Sequence, residues 1–238
     1  MMWFINILRD NIISFILGGL LTAIVGNYKH ILLWIRSILN YNKEIRISYS
    51  YIFRIKIDNK YLLIKGNRID QYQPVGGVYK YYDSFKDKYQ KWEIVSEKNS
   101  DFFEEKDLRI FIKGRYVMDF LKWIESNQNR ECDYKREFIE ELINPKYLDL
   151  SVVDDIEFEF IRRVNNGIHY SQHFKCKEIL IYDVVVLNNL SKNIQDHLIT
   201  IASSNKNLVF VTADDIEREC VQVDGKSTKI GKHAKIIK

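Results

Sequence analysis

The sequence predicts an N-terminal membrane-spanning helix within residues 1–40, followed by an α/β (α+β) domain with a mixed sheet over residues 41–238. Three observations support this fold class. No ionisable side chain occurs between Asp10 and Lys29. From Ile45 onward the apolar residues alternate with period two, as in a β-strand. Strand-favouring aromatics are abundant, with 15 Tyr and 13 Phe, whereas the chain-breakers are few, with 10 Gly and 2 Pro.

The uncharged N-terminal stretch is almost as long as a membrane span, which needs roughly 20 helical residues. Trp3 and Trp34 lie at its two ends, where interfacial aromatic side chains are favoured. The alternatives fit less well. A cleaved signal peptide begins with basic residues, a buried helix of a small domain is rarely apolar all round, and an interfacial helix has a polar face. We therefore expect a single span.

The charges that flank the span predict its orientation. Arg9 is balanced by Asp10 before the span, whereas four basic residues follow it with only Glu44 to oppose them. Because basic residues stay on the cytoplasmic side, we expect the N-terminus outside and the domain in the cytoplasm. Small residues at four-residue spacing would also let a second helix approach closely, which favours self-association. These residues are Gly18, Gly19, Thr22, Ala23 and Gly26.

Apolar periodicity predicts the elements of the domain in chain order. Strands are expected at 45–57, 61–65, 89–95, 108–112, 156–160, 168–172, 179–187 and 208–211. Helices are expected over 116–125 and 132–143, and Ser191 and Thr212 are N-caps of two more. The strand at 179–187 is apolar throughout, so it belongs at the centre of the sheet. Asn165-Asn166-Gly167 predicts a hairpin between the strands on either side of it.

Composition excludes some classes of function. The formal net charge of +4 is spread along the chain without a basic stripe, so we expect no nucleic acid polymer as a partner. The three cysteines form no CxxC pair and are odd in number. The sequence therefore predicts neither a disulfide framework nor a cysteine zinc site.

An acidic cluster lies on the helix expected at 132–143. Glu137, Glu140 and Glu141 are three and four residues apart, so their carboxylates share one face. Like charges at this spacing repel, and a divalent cation or an arginine would offset them. Mg²⁺ takes oxygen ligands, so the three glutamates are a candidate metal site, either functional or vestigial. The alternative is a solvated acidic helix face.

The segment Arg136–Ile143 resembles the core of the NUDIX box, R-E-aliphatic-x-E-E-x-G-aliphatic, and matches it at Arg136, Glu137, Glu140 and Glu141. Upstream, residues 73–77 (Gln-Pro-Val-Gly-Gly) resemble the Pro-Gly-Gly segment that opens the box. In that family the arginine orients the glutamates, and the glutamates hold Mg²⁺ against a diphosphate. The resemblance thus implies a NUDIX-like fold and makes Mg²⁺ a candidate cofactor.

The motif departs from the family pattern in three ways. Gly77 and Arg136 lie 59 positions apart, whereas the family separates its glycine and arginine by about a dozen residues. The family's earlier glutamate falls on Gln128, and Ile143 replaces the glycine that follows the glutamates. The split and incomplete motif favours a receptor over an intact hydrolase.

A split NUDIX domain behind a membrane span resembles the transmembrane NUDIX effectors of bacterial CBASS antiphage defence, which carry a SMODS-associated NUDIX-like domain. The resemblance extends over nearly the whole chain through its order of parts and the segments 120–126 and 136–143. It implies that the domain senses a cyclic nucleotide. It also implies that the membrane part then oligomerises and disrupts the inner membrane, so that the infected cell dies.

Candidate ligand contacts surround the Gly-Gly segment and the motif arginine: Tyr72, Gln73, Gly76, Gly77 and Arg136. Aromatic side chains of such a domain could stack on bases, although a tyrosine is more often part of the core. Two other functions stay open. One is a membrane-tethered, Mg²⁺-dependent NUDIX hydrolase of a nucleoside diphosphate derivative, and the other is a non-catalytic scaffold.

Overall fold

The computed structural model describes Thr22 and residues 25–66, 68–98 and 106–238. Its strands are β1 (Glu44–Arg54), β2 (Lys56–Ile57), β3 (Lys60–Lys65), β4 (Tyr72–Pro74), β5 (Gly76–Val78), β6 (Val95–Ser96), β7 (Arg109–Lys113), β8 (Glu157–Asn165), β9 (His169–Ser171), β10 (Cys176–Asn188), β11 (Leu208–Val211), β12 (Cys220–Val223) and β13 (Lys226–Lys229). The helices are α1 (25–39), α2 (Lys86–Lys91), α3 (Val117–Ser126), α4 (Lys135–Phe138), α5 (Lys192–Ser204) and α6 (Ala213–Arg218).

A seven-stranded mixed sheet forms the centre of the domain, in the order β6-β7-β1-β10-β8, with β5 paired to β1 and β9 paired to β10. The central pair, β1 and β10, is parallel, and the other strands of this sheet pair antiparallel. The predicted mixed α+β architecture is thereby confirmed. A second sheet has the order β11-β3-β2 with β4 paired to β3, and β12 and β13 form a separate hairpin.

The period-two pattern of β1 gives the central sheet two different faces. The odd-numbered residues from Ile45 to Phe53 are buried in the main hydrophobic core, where the apolar sides of α3 and α4 pack on them. The even-numbered residues point to the opposite face. There, Ile52 and Val184 of β10 join a second hydrophobic cluster with the C-terminal segments. The rest of this second face carries polar residues and lines a cleft, described below.

Residues 89–91 are helical, although the sequence predicted a strand over 89–95. A 3₁₀ turn (Asp83–Phe85) leads into α2, and only Val95–Ser96 is a strand. Phe85, Tyr89 and Trp92 follow the helical spacing of four and three residues and cluster as aromatic neighbours. Phe85 also stacks on Trp123 of α3 at 4.1 Å between ring centroids. The prediction of a strand at 89–95 was wrong because it read an aromatic helix face as strand alternation.

The predicted hairpin around Asn165-Asn166-Gly167 is also wrong. β8 and β9 do not pair with each other; both pair antiparallel with β10 and follow one another along the same edge. β10 is 13 residues long and offers enough edge for both strands. The turn residues therefore interrupt a single strand, with Gly167 at φ 66°.

The helix that carries the acidic motif is shorter than predicted. It begins at Lys135 instead of residue 132, and α4 ends at Phe138. The chain then continues through a π-helical turn, Ile139–Ile143, in which the amide of Asn144 donates to the carbonyl of Ile139 at 2.8 Å. Such wide turns occur frequently at functional sites, because they re-aim the side chains they carry.

Helix α1 ends against the edge of the domain. Leu33 enters the main core, and Ser37 and Asn40 are buried. The carbonyl of Asn40 lies so close to Gly114 that a Cβ there would approach it to 2.3 Å. Lys177 Nζ donates to Asn40 Oδ1 at 2.6 Å. The last turns of α1 are therefore fixed to the sheet by packing and by a hydrogen bond.

The predicted membrane span lies mostly outside the described residues, as do Gly18, Gly19 and Ala23 of its predicted packing face. Within the described ranges, no helix combines the length and the apolar character that a bilayer crossing requires. Thr22 and Gly26 are helical and exposed, and a Cβ at Gly26 would meet no atom within 4 Å. The span and its packing face stay predictions.

Candidate functional site

The structure brings the two halves of the split motif into contact. Gly76 and Gly77 lie in β5, opposite Ile52 and Tyr51 of β1. The carboxyl group of Glu137 lies directly over Gly77, where a Cβ would stand only 1.9 Å from its Cδ. Gly76 has φ 155°, and a Cβ there would meet the carbonyl oxygen of Tyr51 at 2.2 Å. Gly76 thus requires glycine, whereas a side chain at Gly77 would have to displace the carboxyl group of Glu137.

Arg136 is the centre of an ion-pair network. Its Nε and Nη2 donate to the two carboxylate oxygens of Glu131 at 2.7 and 2.9 Å, a two-pronged pair that fixes the guanidinium plane. Nη1 donates to Glu137 Oε1 at 2.6 Å and to Glu140 at 3.1 Å. Nη2 also reaches the carbonyl of Val78 at 3.1 Å. Burial opposes the charge of Arg136, but its hydrogen bonds to Glu131 and the charge of Glu137 raise its pKa.

Glu131 is a site residue that sequence reasoning missed. It is 7% exposed, and its amide donates to the carbonyl of Lys80 at 2.8 Å, beyond the end of β5. The family spacing pointed instead to Gln128, which is exposed. That spacing assumes a fixed connection, whereas here Asn127 takes a left-handed conformation, φ 55°, and ends α3. Glu131, three residues after the position that the family spacing indicates, thus holds Arg136.

Two of the three predicted metal-ligating glutamates line the cleft, namely Glu137 and Glu141, and Glu140 is exposed. Burial raises the pKa of both cleft residues, and the charges of Glu137 and Glu140 raise that of Glu141 further. Mg²⁺ is often bound by one or two carboxylates plus waters, so this pair suits the ion. In the described part of the chain, no group of three His, Cys, Asp or Glu side chains is arranged to hold a metal.

The cleft that these carboxylates line has a volume of about 420 Å³. This volume falls within the range of small-molecule sites, roughly 300–1,000 Å³. One part of its wall is the assembled motif, with Gln73, Gly76 and Gly77 beside the glutamates. Another part is basic, and its members come from strands and loops that are distant in sequence: Arg46, Lys65, Arg68 and Arg109.

Arg46, on β1, is the most buried member of the basic wall, with 3% exposed. It donates to Glu178 of β10 and to Glu97, each at 2.9 Å, and its guanidinium covers the ring of Phe174 at 3.8 Å. Its Nε is buried without a hydrogen-bond partner among the described residues. Arg46 thus braces the wall, because its charge is shared by two carboxylates.

Arg109 and Arg68 have weaker partners than Arg46. Arg109 pairs with Asp107 at 3.3 Å, and Arg68 pairs with Glu97 at 3.3 Å. Burial lowers the pKa of Arg109, and the nearby charge of Arg68 lowers it further. Neighbouring positive charges in this wall repel one another, and an anion between them would offset that repulsion. Arginine binds phosphate in two-pronged geometry, so phosphate suits this wall.

A third part of the wall is neutral. Tyr182 of β10 and His233 of the C-terminal 3₁₀ segment (Lys232–Ile237) stack with 8° between their planes and 5.8 Å between their centroids. Burial raises the pKa of Tyr182 to about 12 and lowers that of His233 to about 4, so both are uncharged near neutral pH. Gln71 is adjacent, because a Cβ on Gly231 would lie 2.7 Å from both Gln71 Nε2 and His233 Cε1.

The structure places most of the predicted ligand contacts at the cleft, namely Gln73, Gly76 and Gly77. Arg136 lies behind Glu137 and holds it in place. Tyr72 is not among the residues that line the cleft. It is 3% exposed within the second hydrophobic cluster, and its hydroxyl donates to the carbonyl of Lys206. The basic and neutral walls were not predicted, because their residues carry no local motif.

Comparison with known proteins identifies one family for this chain. Residues 44–238 match the family model of the SMODS-associated NUDIX domain. This range includes every described residue that lines the cleft. No curated protein and no solved structure shows significant similarity to the chain. The family match is consistent with a CBASS-associated NUDIX domain, and it covers most of the sequence. The chain therefore belongs to the SMODS-associated NUDIX domain family.

Proposed function

We propose that this domain is the sensor of a CBASS antiphage system and binds a cyclic nucleotide in the cleft. One observation carries the proposal: the reassembled motif, with Glu137 over Gly77, and the basic residues line the same 420 Å³ cleft. A cyclic oligonucleotide has phosphates, which suit Arg68 and Arg109, and uncharged bases, which need neutral or aromatic surroundings.

The state of the motif favours binding without turnover. Arg136 bonds three carboxylates, so one of the cleft glutamates is already neutralised by protein. The family's earlier glutamate is replaced by Gln128. A receptor must leave its ligand intact, and a site with fewer free carboxylates binds the catalytic cation less strongly. We therefore propose a receptor that has kept the shape of a diphosphate-handling site.

We also propose that the N-terminal segment anchors the protein in the bacterial inner membrane, with the N-terminus outside and the domain in the cytoplasm. On ligand binding, copies of the protein associate through the small-residue face of the span and disrupt the bilayer, and the infected cell dies. The uncharged stretch before Lys29 supports this role. Membrane lipid and further copies of the chain are thus the expected partners.

The binding proposal is tested by calorimetric titration of the purified full chain with cyclic dinucleotides and trinucleotides. Chromatography of each mixture then reports turnover. We expect one member of the panel to bind and to be recovered intact. Arg109→Gln should weaken its binding by about 10–100-fold, since one charge-assisted contact contributes roughly 1.5–3 kcal/mol. Arg218→Gln, on exposed α6, is the matched control and should bind normally. Absence of binding across the panel refutes the proposal.

A second candidate function is Mg²⁺-dependent hydrolysis of a nucleoside diphosphate derivative. It is supported by Glu137 and Glu141, which line the cleft and suit a magnesium ion. When bound, the ion would polarise a phosphoryl oxygen, while the chain's own basic wall would orient the diphosphate. This function predicts Mg²⁺-dependent cleavage that Glu141→Gln abolishes and that Glu217→Gln, on exposed α6, leaves intact. Equal activity in both variants rejects it.

A further inference from the structure

The neutral part of the cleft wall presents three uncharged side chains that can form hydrogen bonds, namely Gln71, Tyr182 and His233. Gln71 is 7% exposed, and Tyr182 and His233 are half-buried. None of these three side chains has a hydrogen-bond partner among the described residues, although all three line the cleft. Their hydrogen-bonding groups are therefore available to a ligand that enters the cleft.

The three residues are held together by the backbone around Gly231. Its amide donates to the carbonyl of Tyr72 at 2.8 Å, which fixes the C-terminal segment against β4. Because Gly231 has no side chain, the amide of Gln71 and the ring of His233 approach each other across it. The ring of His233 lies parallel to that of Tyr182. The backbone around Gly231 therefore brings the three residues together into one surface.

The hydrogen-bonding character of this wall matches a nucleobase edge. A glutamine amide offers donors and an acceptor, a neutral imidazole offers one of each, and a tyrosine hydroxyl can do either. Base edges present donors and acceptors without net charge, whereas phosphates prefer cations. The parallel rings of Tyr182 and His233 also resemble the aromatic surfaces that contact bases in nucleotide sites. The basic wall and the neutral wall thus suit different parts of one ligand.

We infer that Gln71, Tyr182 and His233 form a nucleobase-recognition subsite, which determines which base the ligand must carry. This inference rests on the proposed nucleotide-binding function. The arginines of the basic wall supply affinity for any phosphate-linked ligand, and the neutral wall supplies discrimination between bases. A base with the wrong edge leaves Gln71 or His233 buried and unpaired, which is the most effective way to reject a competitor.

The test uses calorimetric titration of the purified full chain with four probes. Three are cyclic dinucleotides of the same linkage that carry adenine, guanine or uracil, and the fourth is inorganic pyrophosphate, which has no base. Gln71→Leu and His233→Phe are made separately, since each keeps side-chain volume and removes hydrogen-bonding groups. Gln222→Leu, at an exposed position of β12, is the matched control. Thermal unfolding shows whether each variant is folded. If His233→Phe is not folded, His233→Leu replaces it, and if Gln71→Leu is not folded, Gln71→Met replaces it.

We expect Gln71→Leu and His233→Phe to weaken the best cyclic dinucleotide by about 10–100-fold and to reduce the preference between bases. Pyrophosphate should bind these variants as it binds the unaltered protein, and Gln222→Leu should change nothing. If the unaltered protein binds cyclic dinucleotides and the variants keep its base preference, the subsite is refuted while the proposed function stands. If the unaltered protein binds none of the three, and none of the cyclic trinucleotides tested above, the proposed function fails, and the subsite fails with it.

Discussion

Placing a methyl group on Gly77 tests the central contact of the site. The added Cβ would lie 1.9 Å from Cδ of Glu137 and 2.0 and 2.3 Å from its two oxygens. No atom pair tolerates such distances, so the carboxyl group must swing away. It would then lose its 2.6 Å bond with Arg136. The perturbation is therefore steric at Gly77 and electrostatic at Arg136.

The expected magnitude follows from these two effects. Overpacking a close contact costs about 1–3 kcal/mol of the free energy of unfolding. The clash involves the end of a flexible side chain, which can rotate, so we expect about 2 kcal/mol for Gly77→Ala. In a Glu137→Ala background the obstructing group is gone, and the same methyl should cost nearly nothing. The coupling energy between the two substitutions should thus be about 1–3 kcal/mol.

Urea unfolding of the four proteins in this double-mutant cycle measures the coupling. Gly76→Ala provides the control, because its Cβ would meet the backbone oxygen of Tyr51 at 2.2 Å and Glu137→Ala offers no relief there. Its effect should be equal in both backgrounds. Additive effects of Gly77→Ala and Glu137→Ala would show that the carboxyl group does not lie over Gly77, and the reassembled motif would have to be abandoned.

Three further predictions concern the charged groups. Arg136→Lys should lower the free energy of unfolding by about 2–3 kcal/mol, because an ammonium cannot reproduce the two-pronged pair with Glu131; a loss below 0.5 kcal/mol in urea unfolding would contradict this. The pKa of Glu141 is raised by burial, so its charge makes the fold less stable as pH rises above the usual glutamate range. Glu141→Gln should therefore stabilise the protein more at pH 7.5 than at pH 4, measured in chelator, and an equal effect at both would count against it. Asp183→Asn should destabilise the protein by about 3–5 kcal/mol, because Asp183 is 1% exposed and Arg163 would lose its partner; retention of the parent unfolding midpoint would disprove that role.

Elements with a strong local signal were predicted correctly. The alternation in β1, the apolar run in β10 and the helical face of α3 each depend on burial of one side, which the sequence shows directly. The N-cap of α5 is confirmed by the Ser191 hydroxyl, which accepts from the amide of Ile194. The capping box of α6 at Thr212 is equally local.

The error at the predicted hairpin came from contacts between distant residues. Asn165-Asn166-Gly167 resembles a hairpin turn, but the long edge of β10 competes for both flanking strands and pairs with each. Turn chemistry alone could not reveal that competition.

Only part of the site could be predicted, because many of its residues come from distant parts of the chain. Gly77 and Glu137 belong to a known motif, so the sequence identified them even though their contact was hidden by the insertion. Glu131 escaped because the left-handed residue Asn127 changes the path of the chain before α4. Arg46 and Arg109 are neighbours only because β1 and β7 pair in the sheet. A pattern of single residues in separate strands has no signature along the chain.

The attachment of α1 has a mechanical consequence. Its final turn is clamped where the carbonyl of Asn40 presses on Gly114, at the junction that leads from β7 into α3. The helical residues 25–39 extend from this pivot, and a helix of that length measures about 22 Å. By simple geometry, a tilt of about 5° at the pivot sweeps the far end through about 2 Å. A sub-ångström rearrangement of the sheet edge is therefore magnified severalfold at the end of the helix that points towards the N-terminus.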